Sequence, residues 1–117
     1  MKILAASDIH GDSYWASAVI EKFHETGSDK LLLLGDLLYH GPRNNLPENY
    51  NPGKVIALLN AEAGNILAVR GNCDTEVDQM VLKFPIMADY IYLVSGETVF
   101  FATHGHPYSP DNLPEGL

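Results

Sequence analysis

The sequence predicts an α/β fold in which a βαβαβ parallel sheet is followed by a C-terminal β-hairpin. Three observations carry this. Three short apolar runs each stop at a polar, glycine-bearing loop; the stretches between the runs show helical spacing; and two β-rich runs near the end flank a turn signal. With 117 residues and a mass of 12.8 kDa the chain has room for a single domain, residues 1–117. A hydrophobic share of 46% is enough to bury a core and sets the chain apart from disordered sequences.

The first run, Lys2 to Ser7, reads as a buried strand that opens into Asp8-Ile9-His10-Gly11-Asp12. From Ser13 a helix is predicted. Trp15, Val19 and Phe23 recur every four residues, which places Trp15 in the core, and Gly27 supplies the stop. Lys30 to Leu34 is the second strand, apolar enough to be covered on both faces, and ends at Gly35-Asp36. Residues 37–51 carry prolines and no period, so they form a long loop of the kind that serves function. Asn51 caps the next helix with Pro52 at its first position, and Val55, Ile56, Leu58 and Leu59 form the buried stripe before Gly64. Asn65 to Arg70 is the third strand, leading into Gly71-Asn72-Cys73-Asp74. Thr75 and Asp78 have the spacing of a capping box, with Asp74 a second candidate cap for the same short helix. Tyr90 to Val94 and Val99 to Thr103 flank Ser95-Gly96-Glu97 as a hairpin, and its second strand ends in His104-Gly105-His106. Pro107 to Leu117 holds prolines and no period, as in a loop.

Seven basic against fifteen acidic residues give a formal charge of −8, and no Lys or Arg follows Lys83. Stable nucleic-acid binding through the phosphate backbone is therefore not expected. A lone cysteine, Cys73, cannot form an internal disulfide, and no signal-like or membrane-length apolar segment is present, so a cytoplasmic protein without membrane attachment is expected.

Four predicted strands end in metal-competent groups: Asp8 and His10, Asp36, Asn72, and His104 with His106. Each alone has a plainer reading. Asp36 after glycine suits a turn or cap, Asn72 suits a turn, and a loop histidine is usually solvated. Their joint occurrence at strand ends that a parallel sheet gathers on one edge points to metal binding, with carboxylate, imidazole and amide ligands.

The blocks Asp8-Ile9-His10-Gly11, Gly35-Asp36, Gly71-Asn72-Cys73-Asp74 and Thr103-His104-Gly105-His106 resemble the calcineurin-like metallophosphoesterase superfamily, whose pattern is DxH, GD, GNH[DE], a later GH and a final GHxH. The loop His40-Gly41-Pro42-Arg43-Asn44, with Leu46-Pro47, Tyr50 and Pro52, is similar more narrowly to its YfcE-like bacterial phosphodiesterase branch. The resemblance implies a four-layer αββα sandwich. The GHxH block is absent through Leu117, so the chain is expected to be an N-terminal portion, a truncated form of that sandwich.

The resemblance also implies two divalent ions, manganese first with iron or zinc as alternatives, on Asp8, His10, Asp36, Asn72 and His104, with Asp36 shared. The implied reaction is hydrolysis of a small phosphodiester by a hydroxide held between the ions. Cys73 stands where the superfamily has a histidine that assists the leaving group, as it does in the YfcE-like branch; with Asp74 as its orienting neighbour it is a catalytic candidate, against an inert buried thiol. A thiol is the weaker aid to a departing oxygen, so weakly activated leaving groups are not expected to be the best substrates. Arg43 is the candidate for substrate phosphate. The alternative is a noncatalytic scaffold or inactive fragment of the same fold, since the retromer subunit resembles these motifs too. An uncovered hairpin edge leads to the expectation of a homo-oligomer.

Overall fold

Residues whose apolar side chains need cover on both faces can only sit in the middle of a sheet, and Leu31, Leu32 and Leu33 are all buried. In the computed structural model, which describes residues 1–115, they lie on the central strand of a three-stranded parallel sheet. The elements are β1 (Ile3–Ala6), α1 (Ser13–Glu25), β2 (Lys30–Leu33), α2 (Pro52–Asn60), a 3-10 turn (Ala63–Asn65), β3 (Ile66–Ala68), α3 (Glu76–Val81), β4 (Tyr90–Ser95) and β5 (Thr98–Thr103). The strand order β1-β2-β3 sets Leu4 beside Leu31 and Leu31 beside Ile66. Each of these three strands is a residue or more shorter than its apolar run, because the terminal residues already turn into the loops, whereas β4 and β5 each run one residue further toward their turn.

One face of this sheet carries the core. Leu31, Leu33, Ile66 and Ala68 pack with Ala16 and Phe23 of α1 and Val55 and Leu59 of α2, each fully buried Leu contributing about 1.5–3 kcal/mol. Ile3, Ala5, Leu32 and Leu34 line the other face, opposite Leu93, Phe100 and Ala102 of the hairpin. The described residues thus form a helix layer, the parallel sheet and the two strands of a second sheet.

The caps that the sequence predicts are formed. Asn51 Oδ1 accepts the Lys54 N–H at 3.1 Å with Pro52 at the first helical position. Thr75 Oγ1 accepts the Asp78 N–H at 3.2 Å while Asp78 Oδ2 accepts the Thr75 N–H at 3.1 Å, closing the capping box of α3. Strand β4 pairs antiparallel with β5, Ser95 opposite Thr98, and Gly96 has φ 60°, as the first central residue of a II′ turn requires.

Trp15 departs from the expectation. It is 59% exposed, whereas Ala16 and Phe23 are buried. Eight residues at 3.6 per turn bring Trp15 about 80° away from Phe23 around the helix, and it stands in the first turn, at the end of the core. The loop of residues 37–51 is not loose: Ser13 N–H donates to Asn49 O at 3.0 Å and Asn51 N–H to Gly11 O at 2.9 Å, which ties it to the loop after β1. In the tail expected as a loop, Ser109 and Asn112 exchange backbone hydrogen bonds; Gly116 and Leu117 lie outside the described residues.

Candidate metal centre

The loops that leave β1 and β2 run side by side and share backbone hydrogen bonds. Asp8 N–H donates to Gly35 O at 3.0 Å, His10 N–H to Asp36 O at 2.8 Å, and Gly11 N–H to Leu37 O at 2.8 Å. Asp8, His10 and Asp36 have φ of 58°, 51° and 58°, the left-handed region that residues with a Cβ avoid. Among the described residues these are the non-glycine positions with positive φ, and all three belong to the predicted ligand set. Such backbone costs about 1–3 kcal/mol per residue and persists where surrounding structure enforces it.

Asp74 is a large part of that enforcement. Its carboxylate is buried and accepts three backbone N–H groups: Gly71 at 2.6 Å, Asp36 at 2.8 Å and Leu37 at 3.1 Å. It therefore clamps the loop after β3 to the loop after β2, and the helix cap expected of it is supplied by Thr75 instead. Gly35 and Gly71 make the clamp possible, since a Cβ on either would strike the other's backbone or the Asp36 carboxylate.

The side chains converge on Asp36. Its Oδ1 accepts the Cys73 N–H at 2.8 Å, and its Oδ2 lies 3.6 Å from His10 Nε2 and 3.3 Å from His104 Nε2. Asp8 Oδ1 is 3.1 Å from His10 Nε2, and Asn72 Oδ1 is 3.0 Å from His104 Nε2. Both imidazoles are oriented from behind by carbonyls. His10 Nδ1 donates to Tyr39 O at 2.8 Å and His104 Nδ1 to Leu34 O at 2.6 Å. A carbonyl only accepts, so each Nδ1 carries the proton and each Nε2 is left to face acceptors. His104 Nε2 then meets an amide oxygen and a carboxylate oxygen. That arrangement is satisfied by a second proton on the ring or by a cation, and the oxygen and nitrogen donors suit divalent manganese, iron or zinc. Asp8, His10, Asp36, Asn72 and His104 therefore fit a metal site, with Asp36 between the two histidines.

Partial burial pushes the Asp8 carboxyl up, but hydrogen bonds from Ser7 and His10 and the nearby His104 ring outweigh it and hold the group below the ordinary carboxylate range. The Cys73 thiol moves the opposite way, raised by burial and then by the Asp36 and Asp74 carboxylates. Its Sγ belongs to a second ligand-competent group with His10 and Asp36. Arg43 is exposed and lines the cavity of about 450 Å³ over Asp8, His10, Asp36, Asn72 and Cys73, with no ion-pair partner among the described residues. The His106 ring packs edge-on against His104, centroids 5.4 Å apart, and makes no hydrogen bond among the described residues.

The family model for calcineurin-like phosphoesterases matches residues 1–115. The chain belongs to this family. Phosphodiesterase YfcE of Escherichia coli K12 is 51% identical over 114 residues, which cover 97% of this chain and 62% of YfcE, and the YfcE of strain O157:H7 matches equally. The solved structure of E. coli YfcE, described as a phosphoesterase, superposes with a TM-score of 0.95 over 97% of this chain and 63% of that one. A conserved protein of Streptococcus pneumoniae shares the fold at 23% identity and a TM-score of 0.52. The chain thus spans about three-fifths of the length of its YfcE relatives. Its sheet and hairpin are those of the phosphoesterase fold.

Three parts of this family site are not readable from motifs. Ser7, whose Oγ donates to Asp8 Oδ2 at 2.6 Å, is an ordinary strand residue in sequence. The Tyr39 and Leu34 carbonyls that orient the histidines are backbone atoms. The exposure of Trp15 beside the site was masked by its helical spacing.

Proposed function

We propose that this chain acts as a phosphodiesterase dependent on two divalent ions, manganese before iron or zinc, with a small phosphodiester as substrate. The observation that carries the reading is Asp36 Oδ2, set between His10 Nε2 and His104 Nε2. Asp8 and His10 would hold one ion and Asn72 and His104 the other, with Asp36 shared. When bound, such a pair supplies an activated water and neutralises the charge that grows on the phosphoryl group. The protein's own contribution is preorganisation: Asp74 fixes the loops, the two carbonyls fix the imidazole tautomers, and Arg43 reaches over the cavity to bind a phosphate oxygen. Cys73, uncharged at neutral pH, stands at the cavity wall where a departing oxygen would pass.

The 51% identity to YfcE supports the activity, and the joint retention of Asp8, His10, Asp36, Asn72 and His104 argues against a scaffold that has shed its chemistry. We take the enzyme to be cytoplasmic, acting without a membrane or nucleic-acid partner; no described helix is long and apolar enough to cross a membrane. Exposed Val94, Val99 and Phe100 on the hairpin support a homo-oligomer. Hydrolysis of bis(4-nitrophenyl) phosphate tests the reading. Manganese is expected to start nitrophenolate release and a chelator to stop it; bound manganese, iron or zinc without hydrolysis would assign the chain to the noncatalytic reading.

A further inference from the structure

The cavity edge does not stop at the ligands. A groove of about 390 Å³ continues from Asp8 and His10 past the Trp15 indole to His40, Asn44 and Asn45. The Trp15 backbone N–H donates to Asp12 Oδ1 at 3.2 Å, which anchors its position in the first turn of α1, and the Tyr14 ring meets the indole edge-on with centroids 5.0 Å apart. An indole 59% exposed leaves a large apolar surface in water at the rim of a polar site. Across the groove the His40 ring is wedged between Tyr39 and Tyr50, centroids 4.8 and 5.5 Å away, and its buried Nδ1 has no hydrogen-bond partner among the described residues. The Asn45 amide likewise makes no hydrogen bond among them.

A flat apolar face beside the exposed Asn45 amide matches the chemistry of a nucleobase, which stacks on one surface and hydrogen-bonds at its edge. We propose that Trp15 is the stacking platform for a nucleobase on one ester arm of the substrate, with the phosphate at the Asp36 cluster. The net charge of −8 fits a mononucleotide-sized ligand and opposes a long strand. The assignment rests on the phosphodiesterase reading only for where the phosphate sits.

Trp15 is the single tryptophan, so its emission reports the contact directly. In manganese-loaded protein, adenosine 5′-monophosphate is expected to quench it saturably and ribose 5-phosphate to leave it unchanged. Trp15→Ala should weaken adenosine 5′-monophosphate binding about tenfold in equilibrium dialysis, equivalent to about 1.4 kcal/mol, with ribose 5-phosphate unaffected. For thymidine 5′-(4-nitrophenyl phosphate) the same variant should raise KM about tenfold and hold kcat within about twofold, and Trp15→Phe should restore most of the loss. Equal responses to the two phosphates, or emission that changes with protein concentration alone, would overturn the assignment, the latter giving the face to self-association. Quenching by the nucleotide without hydrolysis of any ester would leave the platform standing and defeat the phosphodiesterase reading; hydrolysis without quenching or a KM effect would do the reverse.

Discussion

At the carboxyl edge of β1, β2 and β3, polar groups are buried, strained and tied to one another, whereas the hairpin β4-β5 leaves Val94, Val99 and Phe100 in the open and is held mainly by its own ladder. Three left-handed residues with side chains persist at the first region because the Asp74 carboxylate and the paired loops hold them there. The second region needs nothing unusual of its backbone beyond Gly96. The chain's strain is concentrated where Asp36 and two oriented imidazoles are presented, and the hairpin contributes His104, whose ring bonds Leu34 O through Nδ1 and meets Asn72 Oδ1 through Nε2.

The largest expected effect comes from removing the shared ligand. Asp36→Asn is expected to lower manganese-dependent diester hydrolysis by about a hundredfold or more, beyond the roughly 10–100-fold typical of outer-shell changes. A rate within tenfold of the parent would show that the two histidines are not coupled through Asp36. Next is the clamp. Asp74→Ala leaves three backbone N–H groups without their acceptor, at about 1–3 kcal/mol each, and should destabilise the chain by about 3 kcal/mol or more in urea denaturation. An unchanged midpoint would break the contrast between a clamped edge and a self-contained hairpin.

The hairpin side of the comparison is sharpened by Phe100→Glu. Light scattering across a dilution series should show a dimer or larger assembly for the parent chain and an affinity at least about tenfold weaker for the variant. A parent that stays monomeric at high concentration removes the self-association proposal. The smallest effect belongs to Cys73. Cys73→Ser should reduce turnover several-fold without changing the melting temperature, whereas a lowered melting temperature at unchanged rate would make the thiol a packing group. Because burial and the Asp36 and Asp74 carboxylates raise the thiol, less thiolate exists at a given pH than for a free cysteine. Alkylation of metal-free protein should therefore keep accelerating above about pH 8.5, the ordinary thiol value; a plateau below it would contradict the geometry.

Much of this was legible because the chemistry is local. Asn51-Pro52, Thr75 with Asp78, and Ser95-Gly96-Glu97 each declare a cap or turn through side chains a few residues apart, and the structure forms all three. The ligand candidates were legible for a different reason: parallel strands end on one edge, so residues after separate apolar runs meet without further information. What stayed hidden depends on groups far apart in sequence or on the backbone. Asp74 looked like a helix cap because its partners, Asp36 and Leu37, are reached only once β2 and β3 pair. Trp15 looked like core because a spacing of four drifts around the helix, and sequence does not say where the sheet beneath it ends.

Whether one sheet edge holds two ions through a shared Asp36 is decided by calorimetric titration of the metal-free chain with manganese. The parent is expected to take up two ions per chain, and Asp36→Asn to lose both high-affinity events together. Uptake of a single ion by the parent, or two-ion binding that survives Asp36→Asn unchanged, would contradict this shared two-ion site.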